Sequence, residues 1–193
     1  GKNGQVGWEL ARALLPLGQV HAFDHSGFDL ADAAAVRRTL DEVRPQVIVN
    51  AAAYTAVDKA ESEPEQANAV NAAAPALLAQ EAAKRGALLI HYSTDYVYDG
   101  AKAAPYVETD PTGPLGAYGR SKLAGEVGVQ VSGADHLIFR PSWVYAARGA
   151  NFLRTILRLA PARDHLRGVA DQHGGPTPAS FTADATAPLV ARR

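Results

Sequence analysis

The sequence predicts an α/β fold built on a doubly wound parallel sheet. Short, predominantly apolar runs at residues 19–23, 47–50, 88–92 and 137–139 alternate with longer amphipathic stretches. Strands apolar along their whole length are covered on both faces, and crossover helices supply that cover in parallel sheets. A third observation is the glycine-spaced opening, which runs straight into an amphipathic stretch.

That opening places Gly1, Gly4 and Gly7 in a G-x-x-G-x-x-G pattern, with Gln5 and Val6 between the last two glycines. The helix it opens, over 5–15, carries Val6, Leu10, Leu14 and Leu15 on its apolar side. Missing Cβ atoms allow a backbone to approach phosphates, and the helix N-terminus offers unpaired N–H groups with about half a positive charge. An ordinary glycine turn has the same spacing. Asp24 follows the 19–23 strand, about 20 residues beyond Gly4, where a carboxylate can accept the hydroxyls of an adenosine ribose. The pair favours dinucleotide binding.

Asp29 and Leu30 come next, beside an adenine or at the N-cap of a helix over 31–43. The 47–50 strand ends in Ala51-Ala52-Ala53-Tyr54-Thr55, small side chains that suit either a cofactor near the strand end or tight helix packing. Further helices are expected over 63–85, 118–131 and 151–160, and surface loops over 99–116 and 168–179.

Tyr118 and Lys122 stand four residues apart, on one face of the 118–131 helix. A cation beside a phenol favours phenolate, so Lys122 is expected to make Tyr118 a stronger acid toward a substrate oxyanion. The spacing alone also describes an exposed helical pair. Ser93-Thr94 closes the 88–92 strand, and the C-terminal ends of strands are where open α/β sheets hold ligands. Thr94 can there hydrogen-bond the reacting oxygen.

The formal net charge of −1 gives no electrostatic footprint for nucleic acid or an acidic membrane surface. Without Cys there is neither a disulfide framework nor a thiolate site, and His173 with Asp171 lacks a second convergent His, so no metal ligand is expected. The N-terminus has no signal-peptide pattern and no run of about eighteen apolar residues occurs; a cytoplasmic protein is the expectation. The chain contains no Met and opens within its glycine motif, as an internal fragment lacking its first strand would. Alone, such a fragment is expected not to be a competent enzyme.

The glycine loop, the acidic residue, the strand-terminal Thr and the Tyr-Lys helix, in that order, resemble the extended short-chain dehydrogenases, a Rossmann-like family. More closely, residues 4–10 (GQVGWEL), 50–61 (NAAAYTAVDKAE), 91–98 (HYSTDYVY), 139–146 (FRPSWVYA) and 171–177 (DQHGGPT) are similar to the dTDP-4-dehydrorhamnose reductase family. The resemblance implies cofactor contacts, to NADH or NADPH, at Gly1, Gly4, Gln5, Val6, Gly7, Asp24, Asp29, Leu30, Ala53, Tyr54, Thr55, Tyr92, Tyr118 and Lys122. It implies substrate contacts at Thr94, Asp95 and Trp143, although Trp143 also reads as simple core. Tyr118 would be the proton donor, Lys122 would bind the nicotinamide ribose, and Thr94 completes the catalytic set. Some members bind Mg²⁺ at intersubunit acids; Glu9 matches one, while Ser180 stands where another is expected, which argues against the metal here.

The implied activity is reduction of the C4 keto group of a dTDP-6-deoxy-hexulose to dTDP-L-rhamnose. A nucleotide-sugar epimerase or dehydratase, or a regulatory subunit of the same fold, is the alternative. The expected organisation is a dinucleotide-binding region over 1–145 and the start of a substrate-binding region over 146–193, with a homodimer possible in the family.

Overall fold

Leu88–Tyr92 forms strand β2, and every one of its residues is buried. It lies between β1 (Val47–Asn50) and β3 (His136–Phe139), parallel to both. Ile48 sits opposite Leu89, and Ile90 opposite Leu137. Ser93 N continues the ladder past the strand by donating to Phe139 O at 2.6 Å. The structure, a computed structural model, describes residues 1–192 and shows two units: Gly1 with Phe23–Arg140, and Lys2–Ala22 with the chain from Pro141 on.

In the first unit, α2 (Ala33–Val43), α5 (Ala74–Arg85) and α6 (Ala117–Gln130) pack with the sheet. Val36 and Leu40 of α2, Leu78 and Ala82 of α5, and Val129 of α6 meet Ile48 and Leu89 in one cluster. Each large aliphatic side chain buried there contributes roughly 1.5–3 kcal/mol. α2 begins at Ala33 because Asp32 caps it, accepting from Ala34 N at 2.9 Å and Ala35 N at 3.0 Å. Asp29, the expected cap, bonds Ala31 N at 2.9 Å instead.

The helix expected over 63–85 is present but interrupted. α4 (Pro64–Asn68) passes through a π turn at Ala69–Ala73 into α5. Pro75 supplies the reason: it has no N–H to donate to the carbonyl four residues back, at Asn71, so the regular ladder breaks there. α3 (Val57–Ala60) is a short helix the pattern does not announce.

The strand expected over 19–23 does not form. Gln19, His21 and Ala22 are exposed, and no ladder partner lies beside them among the described residues. An extended run with two polar side chains and no neighbouring ladder does not become a strand; Phe23 O accepts from Gly1 N at 2.8 Å.

The second unit contains α1 (Gln5–Leu14), α7 (Phe152–Leu159), α8 (Ala179–Ala191) and a two-strand ribbon of β4 (Val144–Tyr145) with β5 (Thr177–Pro178). α1 packs along α8, with Arg12 Nη2 bonding Asp184 Oδ1 at 2.8 Å. α8 escapes sequence reading because apolar residues surround it without a stripe and Pro188 lies inside it. No helix among the described residues is long and apolar enough to cross a membrane.

Candidate active site

Because β1, β2 and β3 run parallel, the chain leaves all three at the same sheet edge. Beyond β2, Thr94 stays extended and caps a 3-10 turn over Asp95–Val97: its hydroxyl accepts from Tyr96 N at 3.2 Å and donates to Asp95 Oδ1 at 3.2 Å. The Tyr118 phenol comes near the Thr94 side chain on this turn and sets its ring edge-on to Tyr96 at 5.7 Å. α6 carries Tyr118 in its first turn, where Glu61 Oε1 accepts from Ala117 N at 2.6 Å and satisfies a helix-end donor.

Burial is the largest influence on Tyr118 and raises its pKa; Thr94 opposes it, and the nearby Asp95 and Tyr96 add to the rise. The expected acid-strengthening by Lys122 is therefore not the governing effect. Lys122 is 1% exposed, and its Nζ donates to the Tyr92 carbonyl at 2.6 Å. Burial brings the ammonium down to about 8, with Glu126 pulling the other way.

Helix α6 approaches its neighbours closely because its facing positions lack side chains. A methyl on Gly119 would stand 2.3 Å from Tyr96 O, and one on Gly125 would stand 2.1 Å from Asn71 O. Asn71, fully buried in the π turn, is the joint: Oδ1 accepts from Tyr54 N at 2.8 Å, while Nδ2 donates to Tyr54 O and to Ser121 Oγ, both at 3.0 Å. Ser121 passes the chain of bonds to Tyr118 O at 2.7 Å. Sequence reasoning missed Asn71 and Ser121; the Pro75 that follows Asn71 by four residues was the available signal.

His91 and Asn50, neighbours across β1 and β2, were also missed. Asn50 Nδ2 lies 3.1 Å from His91 Nδ1, which places the ring proton on Nε2; that atom is buried with no hydrogen-bond partner among the described residues. Burial, with the Lys122 charge adding to it, drives His91 down to about 3.

The residues assigned to a cofactor divide between the units. In the first, a methyl on Gly1 would stand 2.8 Å from Ala51 O, so glycine is what permits that approach to the end of β1. Asp24 Oδ1 accepts from Ser26 Oγ at 2.7 Å and Gly27 N at 3.3 Å, within a turn closed by Phe28 N. Leu30 packs against the core cluster, and Asp29 is exposed. Ala53 is half-buried and Thr55 exposed. The Tyr54 hydroxyl donates to Glu63 at 2.5 Å, and the Tyr92 ring stacks on Phe139 at 5.6 Å.

In the second unit, Gly4 precedes α1 without any side-chain cap. The first-turn N–H groups of Gln5, Val6 and Gly7 therefore keep the anion-binding character of a helix N-terminus. The Gln5 side chain is held by Asn151 Nδ2 at 2.7 Å. Trp143 is not core: it is 45% exposed and adopts φ 44°, a left-handed backbone unusual for a bulky residue. A methyl on Gly174 would stand 2.7 Å from its indole, so the 171–177 loop lies directly on Trp143. Glu9 accepts from Arg12 at 3.2 Å, and Ser180 is exposed.

Over 191 residues the chain is 54% identical to dTDP-4-dehydrorhamnose reductase of Burkholderia thailandensis, covering 99% of this chain and 64% of that protein. It is 54% identical over 195 residues to the protein of the same name in Escherichia coli K12, covering 98% and 65%. The chain thus spans just under two thirds of the length of these curated relatives. Among solved structures, the Bacillus anthracis dTDP-4-dehydrorhamnose reductase in complex with NADP superposes with TM-score 0.94 at 36% identity, covering 98% of this chain and 68% of that one. The family described as the RmlD substrate binding domain matches residues 1–193. With the parallel α/β architecture and this level of identity, the chain belongs to the RmlD substrate binding domain family, among relatives named dTDP-4-dehydrorhamnose reductase.

Proposed function

We propose that the protein carrying this chain reduces the C4 keto group of a dTDP-6-deoxy-4-hexulose, dTDP-4-dehydro-L-rhamnose, to the C4 alcohol of dTDP-L-rhamnose. The observation that carries this reading is the buried set at the sheet edge: the Tyr118 phenol near Thr94, with Lys122 one helical turn along α6 and its Nζ on the Tyr92 carbonyl. The names of the relatives and the NADP in the Bacillus anthracis structure support the substrate and cofactor classes.

Reduction adds a hydride to the carbonyl carbon and a proton to its oxygen. A bound NADH or NADPH supplies the hydride; the chain's own residues handle the proton. A raised Tyr118 pKa keeps the phenol protonated through the neutral range, which suits a donor to an alkoxide far more basic than a phenolate. Thr94, whose single hydroxyl proton goes to Asp95 Oδ1 here, would turn that proton to the substrate oxygen when substrate is bound. Lys122, with Nζ anchored on Tyr92 O, places a positive charge where negative charge develops.

For the cofactor, the glycine approach at Gly1, the uncapped start of α1 at Gly4 and the half-buried Asp24 are the fitting features. Gly4, Gln5, Val6 and Gly7 would hold the pyrophosphate and Asp24 the adenosine ribose; Trp143 and Asp95 would face the sugar nucleotide.

In the whole protein, Tyr118→Phe is expected to cut kcat by about 100-fold or more while nucleotide affinity stays near that of the wild type. NAD(P)H oxidation with dTDP-4-dehydrorhamnose and a nucleotide titration measure the two. Near-normal kcat would remove Tyr118 as the proton donor, and turnover without net NAD(P)H consumption would indicate an epimerase or dehydratase.

A further inference from the structure

Glu126 is fully buried on α6, four residues beyond Lys122 and on the same face of the helix. The proposed chemistry does not use it. A carboxylate taken out of water is costly unless it is paired and hydrogen-bonded. Arg140, the residue after β3, meets it with both prongs: Nε to Oε1 at 2.9 Å and Nη2 to Oε2 at 2.5 Å. The remaining arm, Nη1, donates to the Tyr98 hydroxyl at 2.6 Å, and the guanidinium lies over the Tyr98 ring at 5.0 Å. Tyr98 in turn closes the turn that begins at Asp95, through Tyr98 N to Asp95 O at 3.0 Å.

Arg140 is thus bonded on one side to the helix that carries Tyr118 and Lys122, and on the other to the turn that carries Thr94 and Asp95. If structure alone were needed, well-packed apolar side chains would fill the same space at no loss of stability. An apolar filling would not put a negative charge one helical turn from Lys122.

We propose that Glu126, gripped by an Arg140 that Tyr98 braces, is a positioning residue for the reduction: its buried negative charge, one helical turn from Lys122, keeps a charged ammonium seated on the Tyr92 carbonyl. The proposal rests on the reductase reading of the site. The opposing influences on Lys122 agree with it, burial drawing the ammonium toward the neutral form and Glu126 toward the charged one.

Other charges around α6 are engaged elsewhere or neutral. Glu61 bonds Ala117 N and pairs with Arg120 at 3.7 Å, and Glu63 accepts from Tyr54. His91, facing Lys122 from β2, is kept neutral by burial. Asp95, on the 3-10 turn, acts on Tyr118, which shares the helix with Lys122.

The test follows the Lys122 titration directly, by NMR of the whole protein carrying ¹³C at lysine Cε, with Lys122→Arg identifying the signal. Glu126→Gln is expected to lower the Lys122 midpoint, making the ammonium about tenfold more acidic. Glu126→Asp, which keeps the charge, should restore most of the difference. Arg140→Gln, which releases Glu126 from its clamp, should move the midpoint the opposite way and remains informative if Glu126→Gln does not fold. The pH profile of kcat should shift in the same directions. Unchanged midpoints in whichever of Glu126→Gln and Arg140→Gln fold, or a fall in stability with no movement of midpoint or pH profile, would show a merely structural ion pair and overturn the proposal. The NMR titration needs no turnover, so shifts as expected in a protein that fails to reduce the dTDP-sugar would sink the reductase reading and leave the Glu126 effect standing.

Discussion

At Tyr118 burial raises the phenol and Thr94 pulls it down, with Asp95 and Tyr96 adding to the rise. The proposed ribose contact at Asp24 concerns a different choice. A carboxylate at the adenosine ribose accepts two hydroxyls and repels a 2′-phosphate, so Asp24→Ala should shift the kcat/KM ratio toward NADPH by about tenfold or more. A ratio identical to wild type in both cofactors would place Asp24 outside the ribose site. His91 links protonation to stability. Its folded pKa is about 3 against an ordinary 6.5, so between those values the unfolded chain binds more protons than the folded one. Its contribution is fully present above pH 6.5 and is lost as pH falls toward 3, up to on the order of 5 kcal/mol. Urea unfolding at pH 7 and pH 4.5 should show this loss in wild type and a smaller one in His91→Gln. Equal losses in the two proteins would mean that other groups carry the acid sensitivity.

Helix α6 owes its position to what it lacks. Gly125 faces the Asn71 carbonyl that Pro75 leaves outside the regular helix ladder, and there is no room there for a methyl group. Gly125→Ala should therefore cost about 1–3 kcal/mol and push α6 off the π turn. Gly168→Ala, at an open position with ordinary backbone geometry, should change little. Thermal unfolding of the two variants checks the contrast, and comparable melting temperatures would mean that α6 shifts without cost. None of this is visible as periodicity. The helix over 63–85 could be read from its apolar spacing, but the π turn depends on a proline whose effect appears only where Gly125 comes to lie against it.

Across the molecule, order and exposure are distributed unevenly. β2 is buried along its full length and paired on both sides, whereas residues 160–176 are exposed throughout. Amide hydrogen exchange on the whole protein should therefore find β2 among the last segments to exchange and 160–176 among the first. Protection of 160–176 equal to that of β2 would show cover that this chain does not itself provide. The second unit joins the two ends of the sequence: Gln5 is held by Asn151 and Arg12 by Asp184. Pairings of such separation leave no trace in local pattern.

The sequence by itself determined the parallel α/β class, three of its strands and the approximate spans of its helices other than α3 and α8, because strand and helix periodicities are properties of neighbouring residues. It also singled out Thr94, Tyr118 and Lys122, since a strand end and a four-residue helical spacing are local features. The fate of 19–23 was not local: an extended run becomes a strand only when a second backbone lies beside it. Trp143 reads as core or contact from its residue type, and only the fold decides that it is exposed, with a glycine loop against its ring. Tertiary structure likewise set the Tyr118 pKa direction, through burial that outweighs its neighbours, and brought Glu126, Arg140 and Tyr98 from three separate segments into one hydrogen-bonded group. Burial and long-range pairing depend on what the rest of the chain places nearby, which spacing along the sequence does not encode.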